Sequence, residues 1–311
     1  MAVLIIGYQR KKEIQSVIKS VSKFKPDKVY LAMDGPKIDN EISKLNCEKA
    51  RDAALKGINW KCEIFTKFSS TNCGLRKFMF SSIDWFFKYE KEGLILEDDI
   101  LIHPQFIDFA KKFINLNNIS CISACTFENA LKPYQNNPSF SFLSPIPSIW
   151  GWYCKSSIWH EFRSQKRLKL SPFLYFIKFK KKISFWQSFV FSMILWYMDQ
   201  GKMESWAYEF LFYSVNNDKI SVFPGICMAE NIGNSLYAEN CHTKEPLSSK
   251  LRKEIINLSN LDLHPKLNQS YIKKQSYNSL LNKDLKIKAI KGFIKYLLIT
   301  TNEIKNKIKI I

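Results

Sequence analysis

Glu97, Asp98 and Asp99 stand in a row at the end of the apolar run 93–96. Three adjacent anions repel one another, and a folded chain tolerates them where cations or solvent compensate. Their oxygens are hard donors of the kind that Mg²⁺ and Mn²⁺ take, with water or phosphate completing the shell. The plainer reading is an acidic loop before a helix that opens at Pro104, with His103 near its N-cap. Because the triplet follows a strand, where open α/β sheets place ligand chemistry, the chemistry expected here is a cation held between Asp99 and a diphosphate.

Further polar residues recur at the ends of apolar runs. Gln9 and Arg10 follow the first run, Asp34 precedes Gly35-Pro36, and Asn72, Gly74 and Arg76 follow the third. Arg10 and Arg76 are suited to charge-assisted hydrogen bonds with phosphates. Each has an ordinary structural alternative. Asp34 is a good turn residue before Gly-Pro, and Asn72 and Gly74 suit a strand end and helix cap. Arg76 suits a plain helix surface, and Trp150 and Trp152, which flank Gly151, are as well suited to a core as to a sugar platform.

Alternating strand and helix signals must position these groups. Strands are expected at 3–6, Lys28–Met33, 60–67 and 94–96. Helices are expected at 41–55 and Leu75–Tyr89, with others presenting Ile14, Val17, Ile18 and Val21, or Phe106, Phe109, Ala110 and Phe113. That order argues for an α/β fold, a mostly parallel sheet flanked by helices, with one crevice at successive strand ends. Later elements are more irregular: strands at 120–124 and 220–223, a helix at 184–200, and loops at 133–147 and 224–242. From residue 246 onward Asn, Lys and Ser dominate. The chain is therefore divided into a domain at 1–245 and a basic, partly helical extension at 246–311, most helical at 285–298.

With 311 residues, 46% of them hydrophobic and 14% aromatic, the chain can bury a large core. Its eight cysteines form no Cys-x-x-Cys pair, which suits reduced thiols in a cytoplasmic protein. The 3–6 run is too short for a leader, and the 14-residue stretch 185–198 is too short to cross a bilayer. The net charge of +19 calls for anionic partners. Nucleic acid is disfavoured, since no helix-turn-helix, RNP or zinc-finger pattern occurs. Lysines cluster at 178–182 and from Lys273 onward, interleaved with aromatic and aliphatic residues. That pattern suits peripheral contact with an anionic membrane at its inner face, or simply a solvated basic surface. No Gly-x-Gly-x-x-Gly or Walker A motif is present.

Taken in chain order, these residues resemble the GT-A fold nucleotide-sugar glycosyltransferases. The resemblance is in particular to the inverting branch that includes N-acetylglucosaminyltransferase I and bacterial surface-polysaccharide enzymes related to it, and it covers roughly residues 2–243. The resemblance implies that Gln9 and Arg10 lie against the nucleotide and that Asp34 binds the base. It implies that Asn72, Gly74 and Arg76 close over uridine and diphosphate, and that Glu97 and Asp98 contact ribose and sugar. Asp99 would ligate Mn²⁺ or Mg²⁺, with His242 reaching metal or phosphate. Trp150-Gly151-Trp152 would border the donor sugar, and Asn231-Ile232-Gly233 would fold over the site. The implied partners are a nucleotide-sugar donor, UDP-linked by resemblance, and a hydroxyl of a glycan or lipid-linked acceptor.

One departure stands out. The family carries Trp-Asp at the end of the helix after the aromatic turn, and that Asp is the catalytic base. Here the sequence reads Trp206-Ala207, and alanine accepts no proton. The family-like surroundings favour a chain disabled to trap substrates over a natural variant with weak or relocated activity. Glu209 and Glu204 are the nearest substitutes. The alternative class is a nucleotide-sugar or carbohydrate binding protein without catalysis.

Overall fold

A computed structural model of the chain describes residues 1–126, 140–233, 265–267 and 286–297. Four strands, β1 (Ala2–Gly7), β2 (Lys28–Met33), β3 (Glu63–Phe68) and β4 (Glu92–Glu97), lie parallel in the order β3-β2-β1-β4. Between them run α1 (Lys11–Val21), α2 (Glu41–Gly57) and α3 (Leu75–Tyr89). The period of two sorts side chains to opposite faces. Val3 and Ile5 pack with Ile14, Val17, Ile18 and Ala50, whereas Leu4 and Ile6 pack with Phe78, Ile83 and Phe86. β3 starts at Glu63, later than the expected 60, because the Trp60 indole instead donates to the Pro26 carbonyl at 3.0 Å.

The chain steps outward from β1 to β2 to β3, then returns to place β4 on the other side of β1. That reversal is a switch point, where the loops after two neighbouring strands diverge and leave a crevice. The tips of β1 and β4, bearing Arg10 and the acidic triplet, flank it.

Beyond β4 the sheet is mixed. β6 (Ile119–Ser123) and β9 (Ile220–Pro224) are parallel to each other, but β8 (Trp152–Lys155) inserts antiparallel between β4 and β6. β7 (Ser141–Ser144) pairs antiparallel with β9, and β11 (Lys266–Leu267) extends the far edge. Five of the eight pairings are parallel. Outside this sheet, β5 (Ile100–Ile102) and β10 (Ala229–Asn231) form a two-stranded antiparallel ribbon.

α4 (Phe106–Phe113) opens two residues after the expected Pro104, because Phe106 N–H first closes a turn on the His103 carbonyl at 3.0 Å. α5 (Ser156–Ser164) and α8 (Trp206–Asn216) cover the α3 face of the sheet. α6 (Pro172–Lys180) and α7 (Phe185–Asp199) build a third core with α8, and α7 starts from a capping box made by Ser184 and Gln187. Residues 286–297, here α9, are helical and seat Ala289, Phe293 and Tyr296 against that core.

Candidate active site

At the switch point the chain concentrates charge. Gly7 ends β1 without a side chain, and a Cβ there would lie 2.9 Å from Asp98 Cβ and 3.0 Å from Met33 Sδ. Glycine therefore lets the triplet approach β1 closely enough for Asp98 Oδ2 to accept from Tyr8 N–H at 3.0 Å. Arg10, in the turn after β1, then donates to both neighbours, through Nη2 to Asp98 Oδ1 and through Nη1 to Asp99 Oδ2 at 2.8 Å. Asp98 and Asp99 are buried, and Arg10 is partly so.

One guanidinium thus faces three carboxylates, and the titration follows. Desolvation pushes Glu97 up to about 8, with the fields of Asp99 and Asp98 adding to the rise and Arg10 opposing it. Burial also lifts Asp98 to about 6, against the pull of Arg10 and the Tyr8 N–H. Burial works against the charge on Arg10, but the two aspartates more than offset it and hold the guanidinium protonated.

The β5–β10 ribbon puts a cover over this cluster. Ile232 N–H donates to the Asp99 carbonyl at 2.9 Å, and Asn231 Oδ1 accepts from Gly233 N–H at 2.8 Å. A Cβ at Gly233 would fall on the Asp99 carboxylate and 2.7 Å from Arg10 Nη1. Gly151, at φ +69°, turns the chain against the same ribbon, where a Cβ would meet Ile102 at 3.1 Å and Ala229 at 3.4 Å. Asp99, Arg10, Asn231 and Gly151 are therefore neighbours of one small structure.

The donor set fits a hard dication only in part. Among the described residues no group of three or more His, Cys, Asp or Glu side chains converges as a metal cage. Asp99 contributes carboxylate oxygens, and the side-chain-free Gly233 keeps the space beside them narrow. A cation there would need further oxygens from a ligand, a shell that Mg²⁺ readily completes with phosphate and water. His242, the other expected ligand, lies outside the described residues.

A second cluster forms at the tip of β2. Asp34 Oδ1 accepts from Gly35 N–H at 2.8 Å and Cys73 N–H at 2.9 Å, and Oδ2 accepts from Asn72 Nδ2 at 3.3 Å. Asn72 Oδ1 in turn accepts from Gly74 N–H at 3.2 Å, where φ +78° opens α3. Asp34, Asn72 and Gly74 are thus brought together, with the carboxylate spent on tying loop 69–74 to the sheet. Gln9 reaches Ser43, whose hydroxyl lies 3.3 Å from its Oε1 and also bonds Tyr8 Oη at 2.8 Å.

The structure gives four of the expected residues settings that the sequence does not foresee. Trp152, read as bordering a sugar, is only 1% exposed, because β8 is an interior strand that aims it at Trp206 and Phe210, with ring centres at 6.0 and 5.3 Å. Ala207 does not end a helix; it lies in the first turn of α8, half-buried against the α3-side core. Arg76 and Glu209, assigned separately to phosphate and to base chemistry, hold each other. Arg76 Nε and Nη2 donate to the two Glu209 oxygens at 3.0 and 3.2 Å.

Two contributors were missed. Arg51 donates from α2 to the carbonyls of Asp34 at 3.0 Å and Ser69 at 2.6 Å and so fixes the β2 tip. Its only sequence signal was an arginine beside the small residues Cys47, Ala50, Ala53 and Ala54 of α2. Gly7 was legible as a lone glycine closing a fully apolar strand.

No protein-family model and no curated protein sequence matches the chain. Among solved structures it is similar to HddC from Yersinia pseudotuberculosis, with 10% identity over 51% of this chain and 79% of that one and a TM-score of 0.31. The galactosyltransferase LgtC, solved with donor and acceptor sugar analogs, gives 10% identity over 68% of this chain and 69% of that one, with a TM-score of 0.33. S. aureus TarS 1–349 gives 11% over 72% and 58%, also at 0.33.

Proposed function

We propose that the chain binds a nucleotide-sugar, UDP-linked by resemblance, and belongs to the inverting, metal-dependent glycosyltransferases, transferring sugar to a hydroxyl of a glycan or lipid-linked acceptor. The observation that carries this reading is the unbalanced cluster at the β1–β4 switch point, where Arg10, Glu97, Asp98 and Asp99 meet under the 231–233 cover. A ligand bringing a dication and a diphosphate supplies what that cluster lacks, positive charge against the carboxylates and an anion for Arg10. Asp99 would hold Mn²⁺ or Mg²⁺, which stabilises the departing diphosphate as a Lewis acid. Arg10 would turn its guanidinium toward the phosphates. Asp98, bonded to Tyr8 N–H, keeps the β1 and β4 tips together.

Because Asp99 offers only part of a coordination shell, metal and nucleotide bind together. Mn²⁺ alone should shift the melting temperature little, whereas Mn²⁺ with UDP should shift it by more than the sum of the separate effects. Absence of a shift with any nucleoside diphosphate, with or without Mn²⁺, would sink the reading.

The acceptor hydroxyl needs a base, and a positioned carboxylate contributes about 10²–10⁴-fold. Ala207→Asp should raise sugar transfer by that order if position 207 is the base site. A second reading, a nucleotide-sugar binding protein without turnover, is favoured by one observation: Glu209, the nearest substitute base, is clamped by Arg76. Tight nucleotide-sugar binding with no transfer by either the native chain or Ala207→Asp selects it.

A further inference from the structure

α6, α7 and α9 together expose a surface rich in apolar side chains. On α6, Phe173 (63% exposed), Leu174 and Ile177 face outward, while Tyr175 and Phe179 are buried. At the start of α7, Phe185 and Trp186 (42%) are exposed. On α9, Ile287, Ile290 and Ile294 (52%) follow the spacing i, i+3, i+7 and are all exposed.

Ring contacts join these pieces. Phe176 meets Phe185 at 5.3 Å, Phe185 meets Trp186 at 5.6 Å, Trp186 meets Phe189 at 6.2 Å, and Phe189 meets Phe293 at 5.6 Å. Lys286 Nζ stands 5.6 Å from the centre of the Trp186 ring. α9 is seated closely, since a Cβ at Gly292 would lie 2.5 Å from Tyr197 Oη.

The charge on this surface has one sign. Lys288, Lys291 and Lys295 repeat the i, i+3, i+7 spacing one position on from the isoleucines, so an exposed lysine stripe runs beside the aliphatic one. Lys180 and Lys181 are exposed at the end of α6. Neither 172–180 nor 286–297 contains an acidic residue. An aliphatic and aromatic stripe edged by lysines is the composition of helices that lie in a bilayer interface, with rings at headgroup depth and ammonium groups on lipid phosphates. No helix among the described residues is long and apolar enough to cross a membrane, so such contact lies on the bilayer. A second copy would bring the same lysines against these and is opposed by charge.

We infer that the face formed by α6, the first turn of α7 and α9 docks the protein on an anionic lipid surface. The inference is independent of the chemistry proposed for the crevice.

Sedimentation of the full chain with vesicles tests it. Binding should be at least about tenfold stronger to phosphatidylcholine containing about one third phosphatidylglycerol than to phosphatidylcholine alone, because several lysines face the lipid phosphates together. The preference should collapse in high salt. Ile290→Glu with Ile294→Glu, and separately Phe173→Glu with Leu174→Glu, should abolish binding while leaving the melting temperature unchanged, since these side chains are exposed. Trp186 emission, taken as the difference from Trp186→Phe, should shift to the blue on anionic vesicles.

Equal binding to both vesicle types, or to neither, overturns the inference. So does a concentration-dependent dimer that Ile290→Glu/Ile294→Glu dissolves, which gives the face to a second copy. Vesicle binding that survives both glutamate pairs and is lost only with Lys288→Gln/Lys291→Gln/Lys295→Gln also overturns it, because it marks a surface for acidic macromolecules in general.

Discussion

The chain handles arginine–carboxylate pairing in two opposite ways. Along α3 the charges balance: Arg76 takes both oxygens of Glu209, Arg163 takes both of Asp84, and the two guanidiniums lie 4.8 and 4.3 Å from the Phe80 ring. At the switch point one guanidinium serves three carboxylates, two of them buried. The balanced belt needs nothing further and ties α3 to α5 and α8. The unbalanced cluster holds Glu97 and Asp98 at raised pKa, because burial and like charge favour their neutral forms.

Removing the single cation should break the contrast most severely. Arg10→Ala leaves the buried Asp98 and Asp99 without their guanidinium; because Arg10 itself is one-third exposed, the loss should fall at the low end of the cost of breaking a buried pair, about 3 kcal/mol. Urea denaturation at pH 7.5 should show that loss. It should shrink at pH 5, where Asp98 takes up a proton, and in the double variant with Asp98→Asn. An equal loss at both pH values would mean that Arg10 acts by packing alone.

Next in size is the contact that forces the charges together. Gly7→Ala places a methyl 2.9 Å from Asp98 Cβ, and overpacking of this kind costs about 1–3 kcal/mol. The same urea series reads it, and nucleotide affinity should fall with it.

The pH dependence comes third. Asp98 and Glu97 titrate higher in the folded chain than in the unfolded one, near 6 and 8. The folded state therefore binds more protons, so its stability is greatest in acid and declines as pH rises through about 4 to 8. Stability without metal should drop on going from pH 5 to pH 8.5 by at least about 1 kcal/mol, which in thermal melts of a chain this long is about 1.5 °C. Glu97→Gln should flatten the upper part of the curve.

The smallest effect belongs to the balanced belt. Arg76→Ala and Glu209→Gln should each change stability by no more than about 1 kcal/mol, because Arg76 is partly exposed and solvent screens the pair. A larger loss in urea would erase the distinction between the two regions.

The first half of the fold was readable because its signals are local. β2 and α3 fall on their expected residues, and Ser184 and Gln187 announce α7 through a capping box. The positions of Arg10 and the acidic triplet were readable for the same reason, since they stand at the ends of the buried strands β1 and β4. What escaped depends on partners remote in sequence. Nothing near Trp152 reveals that β8 will slot between β4 and β6 and turn its indole inward. Arg76 and Glu209 are each plausible surface charges until α3 and α8 dock. The Ile100–Ile102 run reads equally well as a loop unless Ala229–Asn231 is known to lie against it. Alternation of period two sets which face a residue takes, but not which strand arrives beside it.

That ribbon also sets an order of assembly. The acidic strand end and Arg10 leave the ribosome first, while the segment that roofs them, fastened by Ile232 N–H to the Asp99 carbonyl and by His103 N–H to the Met228 carbonyl, follows only after more than a hundred further residues. A nascent chain halted before residue 229 therefore carries an uncovered acidic cleft, and the pocket acquires its ceiling only when β10 is stitched to β5.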